Sequence, residues 1–140
     1  MPDLYVDVDT AVIVPMNILP IIQSADFKTI EQALVYNFAG IAVQWNFVTC
    51  AGVMTTVAIT PTTAGVYDIS EPLANVGMYG IEIPASGGAS ANNDTEGTGW
   101  ITGTATGLLP WRGPTIGCRR AALNDLLIEG STASTNLEDF

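Results

Sequence analysis

Histidine is absent from this chain of 140 residues, and four Lys and Arg stand against fourteen Asp and Glu. Without histidine the commonest general base and the commonest zinc ligand are missing, which excludes Ser-His-Asp, Cys-His and His-based metal chemistry. No GxxxxGK[ST] phosphate loop, strand-linked GxGxxG or GxSxG elbow occurs, so nucleotide and acyl-transfer chemistry lose their anchors as well. The net charge of −10 repels phosphates and anionic headgroups. Lys28 stands alone and Arg112, Arg119 and Arg120 are spread over the last third, so nucleic acid is not expected as a partner. Cys50 and Cys118 are the two cysteines, and they bridge only if the fold brings their Cα atoms within about 7 Å. The apolar stretch Ala11 to Ile22 is broken by Pro15, Asn17 and Pro20. It falls short of the roughly 20 residues of a membrane helix, and no membrane segment is expected. Met1-Pro2-Asp3 opens no basic, then apolar, leader, which leads us to expect synthesis and retention in the cytoplasm until assembly.

What is present is apolar: hydrophobic residues make up 48% and charged residues 13%, the composition of a folded protein. One domain over residues 1–130 and a flexible acidic tail over 131–140 are expected. Leu4 to Val14 reads as an N-terminal strand arm, and Pro15 and Pro20 confine Met16 to Ile22 to an extended connection or edge strand. Thr29 to Tyr36 mixes helical and extended signals and leans to strand. Ile41, Val43, Trp45 and Phe47 alternate with Ala42, Gln44 and Asn46, a strand with one buried face. Cys50-Ala51-Gly52 then turns into Val53 to Ile59, completing a β-hairpin. Val66 to Ile69 and Met78 to Ile83 are further short strands, and Ala85 to Gly99 is a long polar loop.

Trp100 to Gly107 resumes as a strand whose second face, Ile101, Gly103, Ala105 and Gly107, is small enough for a neighbouring backbone to approach. Thr115 to Arg119 is a last strand. Leu123, Leu126 and Leu127 at helical spacing, stopped by Gly130, predict a short C-terminal helix. The sum is an all-β, antiparallel β-sandwich, immunoglobulin-like or jelly-roll, with that helix at its end.

Candidate sites are few. Asp7 with Asp9, or Asp94 with Glu96, could pair as acid and base, but a solvated acidic edge explains the first pair more simply. Asn92, Asp94 and Glu96 offer oxygen ligands that suit calcium, in a spacing unlike an EF-hand, and serve a structural turn or a subunit contact equally. No catalytic residue, no metal and no cofactor is assigned. Trp45 lies inside the apolar alternation and reads as core. Trp111, between Pro110 and Arg112, is divided between packing and recognition of a partner or glycan.

Several segments together carry a resemblance: Asp26-Phe27-Lys28-Thr29-Ile30-Glu31, Trp45-Asn46-Phe47, Gly77 to Pro84, Asn92 to Gly97, and Leu109-Pro110-Trp111-Arg112-Gly113-Pro114. From about Leu4 to Gly130 the chain resembles a recurrent β-rich module of tailed bacteriophages, similar to the N-terminal part of tail-fibre and baseplate-associated proteins. The resemblance implies a non-enzymatic virion protein that attaches or adapts a tail fibre or baseplate, partnered by other virion proteins and by copies of itself as a trimer or ring. Such modules often precede a fibre shaft, whereas this chain stops soon after its expected helix, which points to a separate adaptor, ring or capsid-decorating subunit. A glycan- or receptor-binding module is the remaining reading. Strand addition and terminal exchange make Leu4 to Val14 and Leu123 to Phe140 interface candidates, with Tyr5, Leu109, Trp111, Arg112, Leu123, Leu126 and Leu127 as the contact residues.

Overall fold

The computed structural model describes residues 2–8, 10–63, 67–73, 76–84, 95–119, 127–128 and 131–132. Their regular structure is strand throughout, in mixed and antiparallel sheets. The larger sheet runs in the order β1 (Leu4–Asp7), β9 (Ile116–Arg119), β7 (Gly97–Thr104), β3 (Ala42–Thr49), β4 (Met54–Ile59), with β8 (Trp111–Arg112) also on β7. The smaller has β6 (Met78–Ile83) between β2 (Val12–Pro15) and β5 (Ile69–Leu73).

The hairpin of β3 and β4 forms as its alternation requires, with Trp45 opposite Val57 and Phe47 opposite Thr55. On its other side β3 pairs with all of β7, Val43 facing Gly103 and Phe47 facing Gly99. The bare positions of β7 explain how large rings lie down on this sheet. A Cβ placed on Gly99 would run into the indole of Trp45, one on Gly103 into that of Trp111, and one on Gly97 into the Phe47 ring and the Val48 carbonyl. Aromatic faces, rather than a neighbouring backbone alone, fill the space that the small residues leave. Gly99→Ala should therefore cost about 1–3 kcal/mol by overpacking, read from the midpoint of urea unfolding. Gly117 is the contrast. It faces Tyr5 across β1 and β9, but that ring is 46% exposed and can shift together with the Arg119 guanidinium over it, so Gly117→Ala should cost less than Gly99→Ala, about 1 kcal/mol or below.

Both sheets contribute to one buried cluster. Val43, Trp45, Phe47, Ile101 and Ile116 come from the larger sheet, Val14, Ile81 and Ile83 from the smaller, and Met16, Ile21 and Leu34 from the irregular chain between β2 and β3. That irregular chain is fixed by hydrogen bonds at intervals: Met16 N to Tyr79 O at 2.9 Å, Ile21 N to Gly77 O at 3.1 Å, Glu31 N to Ile21 O at 2.8 Å. Tyr79 Oη closes it by donating to Glu31 O at 2.7 Å.

Several expectations are corrected. The N-terminal arm is two strands rather than one, because the chain leaves the larger sheet after Asp7 and enters the smaller at Val12. The sheets are not purely antiparallel, since β1 runs parallel to β9. Thr29 to Tyr36 forms no strand beyond the single bridge of Ile30 to Ile22. Gly97 to Gly99 belong to β7 rather than to the preceding loop. The expected C-terminal helix does not include Leu127, because β10 (Leu127–Ile128) pairs antiparallel with β11 (Ser131–Thr132). Ser131 and Thr132 are thereby strand residues. Leu123 and Leu126 lie outside the described residues, as do 133–140.

Candidate interaction site

Residues 18–24 run beside residues 107–112, held at one end by Ile18 N to Arg112 O at 3.0 Å. The other end is held by Leu109 N to Ile22 O at 2.9 Å and Ser24 N to Gly107 O at 2.9 Å. Between these ties stand Pro20 and Pro110, neither with an N–H to give to a ladder. The two segments part there and leave a cleft of about 520 Å³ lined by Ile18–Ile22 and Leu109–Arg112. This is the size range of small-molecule and side-chain pockets. Its lining is almost wholly apolar. Ile21 and Trp111 are buried beneath it, while Ile18 and Leu19 stand 50% and 75% exposed at its mouth.

The cleft is built on a rigid support. Asn17, itself buried, donates from Nδ2 to Leu19 O at 2.7 Å and Gly77 O at 2.8 Å. Its Oδ1 accepts from Tyr79 N at 3.0 Å. One amide side chain thus ties the mouth of the cleft to β6. On the other wall Arg112 lies over the Trp100 ring, 5.4 Å from its centroid, a cation–π arrangement that holds the guanidinium at the rim.

Of the candidate contacts, Leu109, Trp111 and Arg112 meet at this cleft. Trp111 is 7% exposed and packs on Gly103, and its Nε1 is buried without a hydrogen-bond partner among the described residues. Trp111→Ala should accordingly unfold the protein more readily, rather than weaken assembly while leaving folding intact. Tyr5 lies on β1, apart from the cleft lining, with Arg119 stacked 4.6 Å above its ring. Leu127 sits in β10. Glu96 is an exposed residue whose carbonyl accepts from Cys50 N at 3.3 Å, while Asn92 and Asp94 lie outside the described residues. Among the described residues no group of three or more metal-ligating side chains occurs.

Ile18 and Leu19 were missed as contacts because the flanking prolines read as a mere connection. Phe27 belongs to the Asp26 to Glu31 segment that carries part of the resemblance. It is 72% exposed and holds a left-handed φ of 58°, unusual for a bulky residue. The turn around it is set by Asp26, whose Oδ1 accepts from Lys28 N at 3.0 Å and Thr29 N at 2.9 Å while Oδ2 accepts from the Thr29 hydroxyl. These bonds, the Thr29 hydroxyl first, hold the Asp26 carboxyl below its ordinary pKa.

The cysteines do not bridge: Cys50 is exposed and Cys118 buried, both free. Burial pushes the Cys118 thiol up to about 11. Its ordinary ionisation in the unfolded chain then favours unfolding as pH rises from the usual thiol range toward 11, so the folded state should lose stability over that window. At neutral pH a disulfide reagent should titrate Cys50 rapidly and Cys118 only on addition of denaturant. Equal rates for both in the native protein would contradict this burial.

No protein-family model matches the chain, and no curated protein matches it.

Proposed function

We propose that this chain is a non-enzymatic structural subunit of a tailed-phage virion, an attachment or adaptor piece of the tail fibre or baseplate, whose cleft receives an apolar segment of another virion protein. The observation that carries the reading is the pairing of a built, apolar cleft with the 75% exposed Leu19 at its mouth, in a chain without histidine. Exposed aliphatic side chains beside a preformed apolar pocket are what a protein contact needs. The motif resemblance, including the Leu109 to Pro114 segment that forms one wall, supports the same assignment. In this reading the two sheets form a β-sandwich, the subunit acts as one of several copies, and it resides in the virion after synthesis in the host cytoplasm.

The test is peptide mass spectrometry of density-banded particles. The chain should be present at a fixed ratio to the tail proteins and absent from tailless heads. Leu19→Asp, a change at an exposed position, should leave the fold intact and deplete the chain from particles at least tenfold. Recovery of the chain only with heads would instead assign it to capsid decoration, and its absence from all particles would overturn the virion reading. Normal incorporation of Leu19→Asp would remove the cleft from the assembly surface.

A further inference from the structure

Besides the two-residue β8, the two main sheets end in four edge strands, and three of these carry devices that discourage pairing with another chain. β1 is flanked by Asp3 and ends on Asp7, β2 ends on Pro15, and β5 contains Glu71, Pro72 and a register shift between Ser70 and Leu73. β4, Met54-Thr55-Thr56-Val57-Ala58-Ile59, has no charge, no proline and a regular register. Antiparallel alternation from the Thr49 N to Val53 O bond turns Thr55, Val57 and Ile59 toward β3 and the N–H and C=O groups of Met54, Thr56 and Ala58 outward. Among the described residues nothing hydrogen-bonds to those outward groups.

The charge distribution says what fits there. A chain of net charge −10 resists meeting its own copy, yet every residue from Gln32 to Tyr67 is uncharged, so β4 lies in the middle of a long neutral tract. Neither β4 nor β3 beside it carries a charge, so two β4 edges can pair without placing like charges on the facing strands. We propose that the protein self-associates through β4, which pairs antiparallel with β4 of a second copy about a two-fold axis centred on Thr56. A two-fold contact is self-complementary, and this register sets the side chains well. Met54, 60% exposed, faces the small Ala58 of the partner subunit, and Thr55 faces Val57 of the partner subunit. The two larger sheets become one continuous sheet. The inference does not rest on the virion reading, whose contact is the cleft of residues 18–22 and 109–112 and not β4.

Sedimentation equilibrium of the full chain tests it, together with amide exchange at Met54, Thr56 and Ala58. The expected mass is twice the 14.7 kDa chain, with protection at those three amides that falls on dilution. Ala58→Lys puts an exposed charge on the edge without touching the ladder to β3, and should weaken self-association roughly tenfold or more while leaving the unfolding midpoint of the monomer unchanged. Ala58→Pro, which removes an outward N–H, should act in the same direction. A chain that stays monomeric into the high micromolar range overturns the proposal, whether those amides are open or are covered by its own residues. Association that Ala58→Lys and Ala58→Pro leave unaltered overturns it equally.

Discussion

Trp45→Ala should cost about 3–5 kcal/mol, the upper range for loss of a buried aromatic side chain. Trp45 is 1% exposed, stacks on Phe47 with ring centroids 6.1 Å apart and planes at 26°, and lies over Gly99. Cores recover part of such a loss when neighbours relax into the hole. Here the floor of the hole is glycine backbone in the middle of a hydrogen-bonded sheet, which has no side chain to swing inward, so the vacated volume stays open. For a domain of this size, with a total stability on the order of 5–15 kcal/mol, the variant should be partly unfolded at physiological temperature. Urea denaturation with an unchanged m-value is the measurement, and a cost under about 1 kcal/mol would contradict the seat-and-ring packing.

Asn17→Asp is the second, because it alters charge and donors without altering shape. Both N–H groups of the amide are spent on carbonyls at 2.7 and 2.8 Å, and an oxygen in their place would face Leu19 O and Gly77 O with nothing to donate. Asn17 is 1% exposed, so the introduced carboxylate is also desolvated. Together these should cost about 3–5 kcal/mol at neutral pH. Burial and facing carbonyls raise the pKa of the introduced carboxyl above its unfolded value, so the folded state binds a proton more tightly. The variant should regain stability as pH falls through that raised pKa, where the protonated acid can donate one bond again. Chemical denaturation of parent and variant at pH 5 and pH 7 reads this directly. A penalty that is independent of pH would mean that water reaches the site.

The hairpin of β3 and β4, the strand β6 and the two-faced pattern of β7 were legible because each is a local alternation between a buried and a solvated face. Partner choice is not local. Nothing in Leu4–Asp7 names Ile116–Arg119 as its neighbour, and nothing in the alternation says that the pair is parallel. The end of the chain misled for a related reason. Leu123, Leu126 and Leu127 have helical spacing, but Leu127 and Ile128 pair instead with Thr132 and Ser131, a partner that the spacing of the leucines does not announce. Trp111 stayed divided between packing and recognition because prolines and a glycine surround it in sequence. Its seat is Gly103, directly across the sheet, and the spacing of Gly97, Gly99 and Gly103 on one face was the readable sign that rings would lie there. The cleft was half legible: the Leu109 to Arg112 wall stood out, and the Ile18 to Ile22 wall did not, since the effect of Pro20 depends on the segment that runs beside it.

The parallel pairing of β1 with β9 has a mechanical consequence. In a parallel pair, traction on the N-terminal side of β1 and on the C-terminal side of β9 pulls the two strands along their length in opposite directions. The rungs from Leu4 and Ile116 to Asp7 and Arg119 are then loaded together in shear, where an antiparallel pair pulled from the same two ends would open one rung after another. Rupture under load is set by the unfolding rate rather than by equilibrium stability. A subunit strung between two neighbours by its ends would therefore hold tension better than its modest number of strand bonds implies.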